Sequence, residues 1–161
     1  MNYVETSLIR TEADELTYGL HIIIRYEIEK ELINGRIKVD DLKELWNKKY
    51  NEYLGVEPKS DSEGILQDMH WSDGSFGYFP SYALGNLYGA QMFHKLLEEK
   101  PDIMAEVKNG NFTEIFKWLK EKVHVHGALY TPEELIKNIT GEELNPCLLY
   151  TSDAADDLLC V

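Results

Sequence analysis

Two stretches carry residue types that could do chemistry together. In the first, Arg10, Asp14, Thr17, His21 and Arg25 recur at spacings of three and four. On a helix turning about 100° per residue they share a stripe roughly 80° wide. An arginine offers a planar fork that suits a carboxylate, on the protein or on a ligand. The same stripe could instead be a self-satisfied ion-pair network between helices, because buried charges are costly without partners. The second stretch is Gly64-Ile65-Leu66-Gln67-Asp68-Met69-His70-Trp71-Ser72. A histidine there can act as a general acid or base, or as a donor to an oxyanion; it can also be structural. Tyr78 and Tyr82 could add a phenol donor or simply bury. His124-Val125-His126 offers two imidazoles, too few for a metal centre without a third ligand, and reads as surface. No His-Glu-x-x-His helix, phosphate-binding glycine loop or serine nucleophile elbow occurs.

The elements that would position these residues read as helices. The first is expected over Ser7 to Asn34, with Ser7 as N-cap and Gly35 as terminator. Ile9, Ala13, Leu16, Leu20 and Ile23 form its apolar face, away from the polar stripe. A second helix, capped by Asp40 or Asp41, runs to about Leu54 with Leu42, Leu45, Trp46 and Tyr53 inward. Glu57 to Pro80 reads as a long loop whose aromatic content argues for a functional one. A third helix follows from Pro80-Ser81 to about Lys100. Its Tyr82, Leu84, Leu87, Tyr88, Met92 and Phe93 are available for packing, and Gly85 and Gly89 allow a close neighbour. Pro101 breaks that helix, and Ile103 to Lys108 is short. Phe112 to Val123 is expected to bury Phe112, Ile115, Phe116 and Leu119. Thr131-Pro132-Glu133-Glu134 starts a last helix that Gly141 ends. No strand alternation is found, so the fold class is all-α: antiparallel helices with one long aromatic-rich functional loop.

The 161 residues suffice for one modest domain, and the net charge of −13 argues against a nucleic-acid partner. No signal-peptide pattern and no apolar run near the roughly 20 residues of a membrane span occur. A cytoplasmic protein with no membrane association is expected. Both cysteines, Cys147 and Cys160, lie near the C-terminus. Residues 147–161, CLLYTSDAADDLLCV, have no basic residue and continue no helical pattern. Cys147 to Asp156 matches a translated transposon-based sequencing adapter. We therefore expect a native domain over 1–146 and an adapter-derived, non-native tail over 147–161.

The stretches at 9–32 (IRTEADELTYGLHIIIRYEIEKEL), 64–86 (GILQDMHWSDGSFGYFPSYALGN) and 131–146 (TPEELIKNITGEELNP) resemble one family. It is that of the thermostable metallocarboxypeptidases, the carboxypeptidase Taq family, and the resemblance covers essentially all of 3–146. Ile9-Arg10-x-x-Ala13-Asp14-Glu15 and Gly64-x-x-Gln67-Asp68-x-His70-Trp71 are its hallmarks. The resemblance implies the C-terminal part of a larger helical, groove-forming peptidase that removes C-terminal residues from peptides. It also implies a cofactor, zinc or cobalt, bound by a His-Glu-x-x-His helix and a later glutamate. Those ligands are absent from this sequence, so the chain is expected to be an N-terminally truncated fragment, inactive alone. Full-length members are expected to form homodimers. By the same resemblance Arg10 and Arg25 bind substrate, Arg10 by gripping its terminal carboxylate. His70 and Tyr82 are the catalytic pair that stabilises the oxyanion. Asp14, Glu15, His21 and Asp68 orient these groups from behind. The competing reading is a stand-alone, non-enzymatic helical module that binds a peptide or carboxylate.

Overall fold

The first long helix starts at Glu15, eight residues after the serine expected to cap it. Asp14 is the better cap, because its Oδ1 accepts from the backbone N–H of Leu16 (2.9 Å) and of Thr17 (2.8 Å). Its other oxygen takes the N–H of Glu5 at 3.0 Å, which ties down the incoming chain. Arg10–Glu12 therefore forms a separate short 3₁₀ turn, and Arg10 is not part of the helical stripe. The computed structural model describes residues 4–150, and most of the tail read as adapter-derived (151–161) lies outside them.

In chain order the helices are α1 (Glu15–Ile33), α2 (Leu42–Leu54), α3 (Met69–Asp73) and α4 (Pro80–Glu99). They are followed by α5 (Ile103–Lys108), α6 (Thr113–Lys122), α7 (Pro132–Thr140) and α8 (Cys147–Tyr150). Among the described residues there is no strand, and none of the helices is long and apolar enough to cross a membrane. α8 puts one helical turn where the sequence pattern gave no reason to expect it. The chain divides into two compact units, Met1–Ala83 and Leu84–Val161.

In the first unit α1 packs on α2 around Ile24, Ile28, Leu42, Trp46, Tyr50 and Leu54. Trp46 and Tyr50, one turn apart, stack with ring centroids 4.9 Å apart, and this aromatic pair decides which face of α1 turns inward. The buried face carries Thr17, His21, Ile22, Ile24, Arg25, Ile28 and Glu29. The face expected to be apolar core is largely outward, with Leu16 at 55 % and Ile23 at 41 % exposure. α1 has apolar residues around most of its circumference, so sequence periodicity could not choose between its faces. The stretch expected as a loop contains a 3₁₀ turn, Ile65–Gln67, and the short α3.

In the second unit Leu96, Ile103, Trp118 and Ile139 form the core. Trp118 is the buried residue of α6, while Phe112 and Phe116, expected inward, are exposed. Buried Gln91 holds the C-terminal stretch. Its Nε2 donates to Thr140 Oγ1 (3.2 Å) and to the Glu143 carbonyl (3.0 Å), and its Oε1 accepts from Asn145 N–H (2.9 Å). α7 begins as its sequence suggests. Thr131 Oγ1 accepts from Glu134 N–H, Glu134 accepts in return, Pro132 opens the helix, and left-handed Gly141 closes it. Gly85 and Gly89 have open space around an added Cβ, so no close neighbour demands them among the described residues.

Candidate active-site cluster

The aromatic segment between α3 and α4 is held against α1 by buried polar bonds. Asp68 caps α3, its Oδ1 accepting from Trp71 N–H at 2.9 Å. Its Oδ2 receives Arg25 Nε at 3.2 Å, in a pair whose side chains are only 1–2 % exposed. Arg25 also donates through Nη1 to the His21 carbonyl (3.0 Å) and to the Tyr50 hydroxyl (2.9 Å). Its guanidinium carbon lies 4.6 Å from the Trp46 ring and 5.1 Å from the Phe79 ring. Arg25 is thus a core cation with protein partners on several sides, not a group presented to solvent.

This network also sets the state of His21. An arginine can only donate, so the Tyr50 oxygen accepts from Arg25, and the same oxygen hydrogen-bonds His21 Nδ1 at 3.0 Å. Burial, reinforced by the charges of Arg25 and Arg10, lowers the His21 pKa to about 4 and keeps the ring neutral at pH 7. Burial likewise pushes the Tyr50 phenol up. Asp14 is held below the ordinary aspartate value chiefly by the Thr17 N–H at the helix start.

Arg10 and His70, in separate motifs, meet at the same aromatic ring. Arg10 Nη1 donates to the Tyr18 hydroxyl at 3.0 Å. Its guanidinium carbon lies 5.0 Å from the centroid of Tyr82, 5.4 Å from Phe79 and 5.9 Å from Tyr18. His70 Nε2 is 3.1 Å from the Tyr82 hydroxyl. The His70 ring stacks on Tyr78 (5.5 Å, 19°) and tilts against Phe79 (4.5 Å). Arg10, His70 and Tyr82 are half-buried, whereas Phe79 beneath them is buried. A cation, an imidazole and a phenol thus converge on one partly open surface, all within the first unit.

Of the other expected site residues, His21 and Asp68 lie in the buried layer behind this cluster. Asp14 is occupied as the cap of α1, and Glu15 is exposed in its first turn. Sequence reasoning missed Tyr18 and Phe79, which frame Arg10, and Glu29, one turn after Arg25 on the same buried face. Extending the polar stripe by four residues would have found Glu29. Among the described residues no group of three or more His, Cys, Asp or Glu side chains could hold a metal ion. The described residues therefore do not fit a metal site, and His124 and His126 belong to a 3₁₀ turn of the second unit. A groove of about 320 Å³ in the second unit, between the Gln91–Glu98 stretch and Thr140–Glu142, contains none of the expected site residues.

The sequence model of carboxypeptidase Taq (M32) metallopeptidases matches residues 1–153. Carboxypeptidase 1 of Bacillus subtilis (strain 168) is 57% identical over 145 residues, 90% of this chain and 29% of that protein. Thermostable carboxypeptidase 1 of Thermus thermophilus is 44% identical over 152 residues, 93% of this chain and 30% of its own length. The crystal structure of an M32 carboxypeptidase from Deinococcus radiodurans R1 superposes with a TM-score of 0.90 at 40% identity. That match covers 94% of this chain and 31% of the other. The chain spans about 30% of the length of the relatives it matches.

Proposed function

The chain belongs to the carboxypeptidase Taq (M32) metallopeptidase family, and we propose that it supplies the substrate-gripping wall of such a carboxypeptidase. The observation that carries this reading is the meeting of Arg10 and His70 at Tyr82. A peptide's terminal carboxylate and the carbonyl before it are one residue apart, about 3.8 Å between successive Cα positions. Arg10 lies against the same phenol ring that carries the hydroxyl, so one substrate end can engage both.

In this arrangement Arg10 pairs with the terminal carboxylate, which restricts cleavage to the last residue. His70 holds its proton on Nε2 and donates it to the Tyr82 oxygen. The Tyr82 hydroxyl proton is then free to bond the scissile carbonyl oxygen as negative charge develops on it. Phe79 and Tyr78 hold the imidazole plane and keep water from one side of it. We assign Arg25, buried and bonded through Nε and Nη1, to holding Asp68 rather than to touching substrate. His21 and Tyr50 complete that support. The metal, zinc or cobalt on this reading, is bound by parts of the full-length protein outside this chain. The substrate is a peptide, and the full-length protein is a cytoplasmic homodimer without a nucleic-acid partner.

The test is Arg10→Ala in the full-length protein. Losing a charge-assisted bond to the carboxylate should cost about 1.5–3 kcal/mol, roughly 10- to 150-fold in kcat/KM. The loss should appear chiefly in KM, with reduced preference for a free C-terminal carboxylate over its amide. Unchanged kinetics on short peptides would refute the role given to Arg10.

A further inference from the structure

We propose that Glu29 is a positioning residue for His70, clamping both limbs of the segment that carries it; the proposal rests on the reading of His70 given above. The Glu29 side chain projects from α1 into the protein and is 7 % exposed. One oxygen accepts the indole N–H of Trp71 at 3.0 Å, and the other accepts the backbone N–H of Gly77. Among the described residues no Lys, Arg or His nitrogen forms an ion pair with it. A buried carboxylate without a cation is costly unless N–H donors satisfy it, and here two donors do so, one directly after His70 and one directly before the Tyr78–Phe79 pair.

The placement of those donors is specific. Trp71 directly follows His70 on α3, and Asp68 before it is already held by Arg25. Gly77 has φ +79, a left-handed turn that favours glycine. It leads directly into Tyr78 and Phe79, the two rings that flank the imidazole. One carboxylate therefore couples the backbone that carries His70 to the aromatic walls that orient it. The indole it holds also meets Trp46 edge-on at 6.0 Å, linking the clamp to the core.

The experiment uses the full-length, metal-loaded protein with four variants: Glu29→Gln, Trp71→Phe, His70→Ala and the double variant Glu29→Gln with His70→Ala. Glutamine keeps the shape but has one acceptor oxygen, so its amide N–H₂ must face a second donor. Kinetics on a short peptide are combined with ¹⁵N–¹H spectra of the indole groups, the Trp71 signal being identified by its loss in Trp71→Phe. We expect Glu29→Gln to lower kcat roughly 10- to 100-fold, as a displaced active-site group does, with KM within about twofold. The Trp71 indole proton should move upfield, and Trp71→Phe should reproduce part of the kcat loss. In the His70→Ala background Glu29→Gln should have no further effect, because the two act as one unit. If His70→Ala lowers kcat while Glu29→Gln does not, or if the two losses multiply, the positioning role is overturned and the reading of His70 stands. If His70→Ala leaves kcat unchanged, the reading of His70 falls and takes the proposal with it. Should Glu29→Gln fail to fold, Trp71→Phe, alone and combined with His70→Ala, makes the same comparison.

Discussion

Asp68→Ala is the most informative perturbation of the scaffold beneath the cluster. Asp68 is 6 % exposed and does two jobs, pairing with Arg25 and capping α3. Solvent barely screens the pair, whose side chains are 1–2 % exposed. Breaking such a pair from one side leaves an uncompensated buried charge, typically worth about 3–5 kcal/mol. Here the guanidinium keeps the His21 carbonyl, the Tyr50 hydroxyl and the faces of Trp46 and Phe79. Those contacts place the loss near the low end, about 3 kcal/mol. The missing cap adds about 1 kcal/mol, for about 4 kcal/mol in all. Asp68→Asn keeps one oxygen for the cap and should lose only about 3 kcal/mol. For a chain of 161 residues, roughly 2–4 °C of melting temperature per kcal/mol gives a fall of about 8–16 °C for alanine. Equilibrium urea denaturation and thermal melts followed by far-UV circular dichroism measure both variants. An alanine variant within about 1 kcal/mol of the parent would show that the Arg25–Asp68 pair is not an unscreened buried pair, and the account of the scaffold would be wrong.

Two further outcomes follow from the same geometry and from α7. His21 titrates near its ordinary value of 6.5 when unfolded but at about 4 when folded, so the unfolded chain binds its proton first. Stability should fall as pH drops from about 6.5, reaching a loss of about 3 kcal/mol near pH 4. His21→Gln should flatten that slope between pH 6.5 and 5, and a parent-like slope in the variant would exclude His21 as its source. Thr131→Ala removes the acceptor of the Glu134 N–H at 3.3 Å. It should cost about 1 kcal/mol and raise hydrogen exchange at the first turn of α7; unchanged protection of the Glu134 amide would refute the cap.

The helices at α2, α5 and α7 were legible because their signals are local. The Thr131 cap and Pro132 at the first turn of α7, and Gly55 and Gly141 at left-handed ends, act within one or two turns, whereas Asp41, expected to cap α2, makes no cap hydrogen bond there. The two motifs with Arg10 and His70 were legible as residue types at fixed spacings. Their meeting was not, because it depends on Tyr82 at the start of α4 reaching back to both.

What the sequence by itself determined was the all-helical class, the capped start and glycine end of α7, and the set of polar residues from which a site could be built. What only tertiary structure decided was which of them would be core and which surface. Leu16 and Ile23 were as good a core face for α1 as Ile24 and Ile28, until Trp46 and Tyr50 packed on the latter. That choice drew Arg25, His21 and Glu29 into the interior, where each had to be met by a partner distant in the chain: Asp68, Tyr50, and the pair Trp71 and Gly77. Arg10 escaped the same fate because Asp14 caps the helix after it, leaving its guanidinium half-buried against the rings of Phe79 and Tyr82. Burial is a property of the whole packed unit, and the cost of burying charge then dictates the partners.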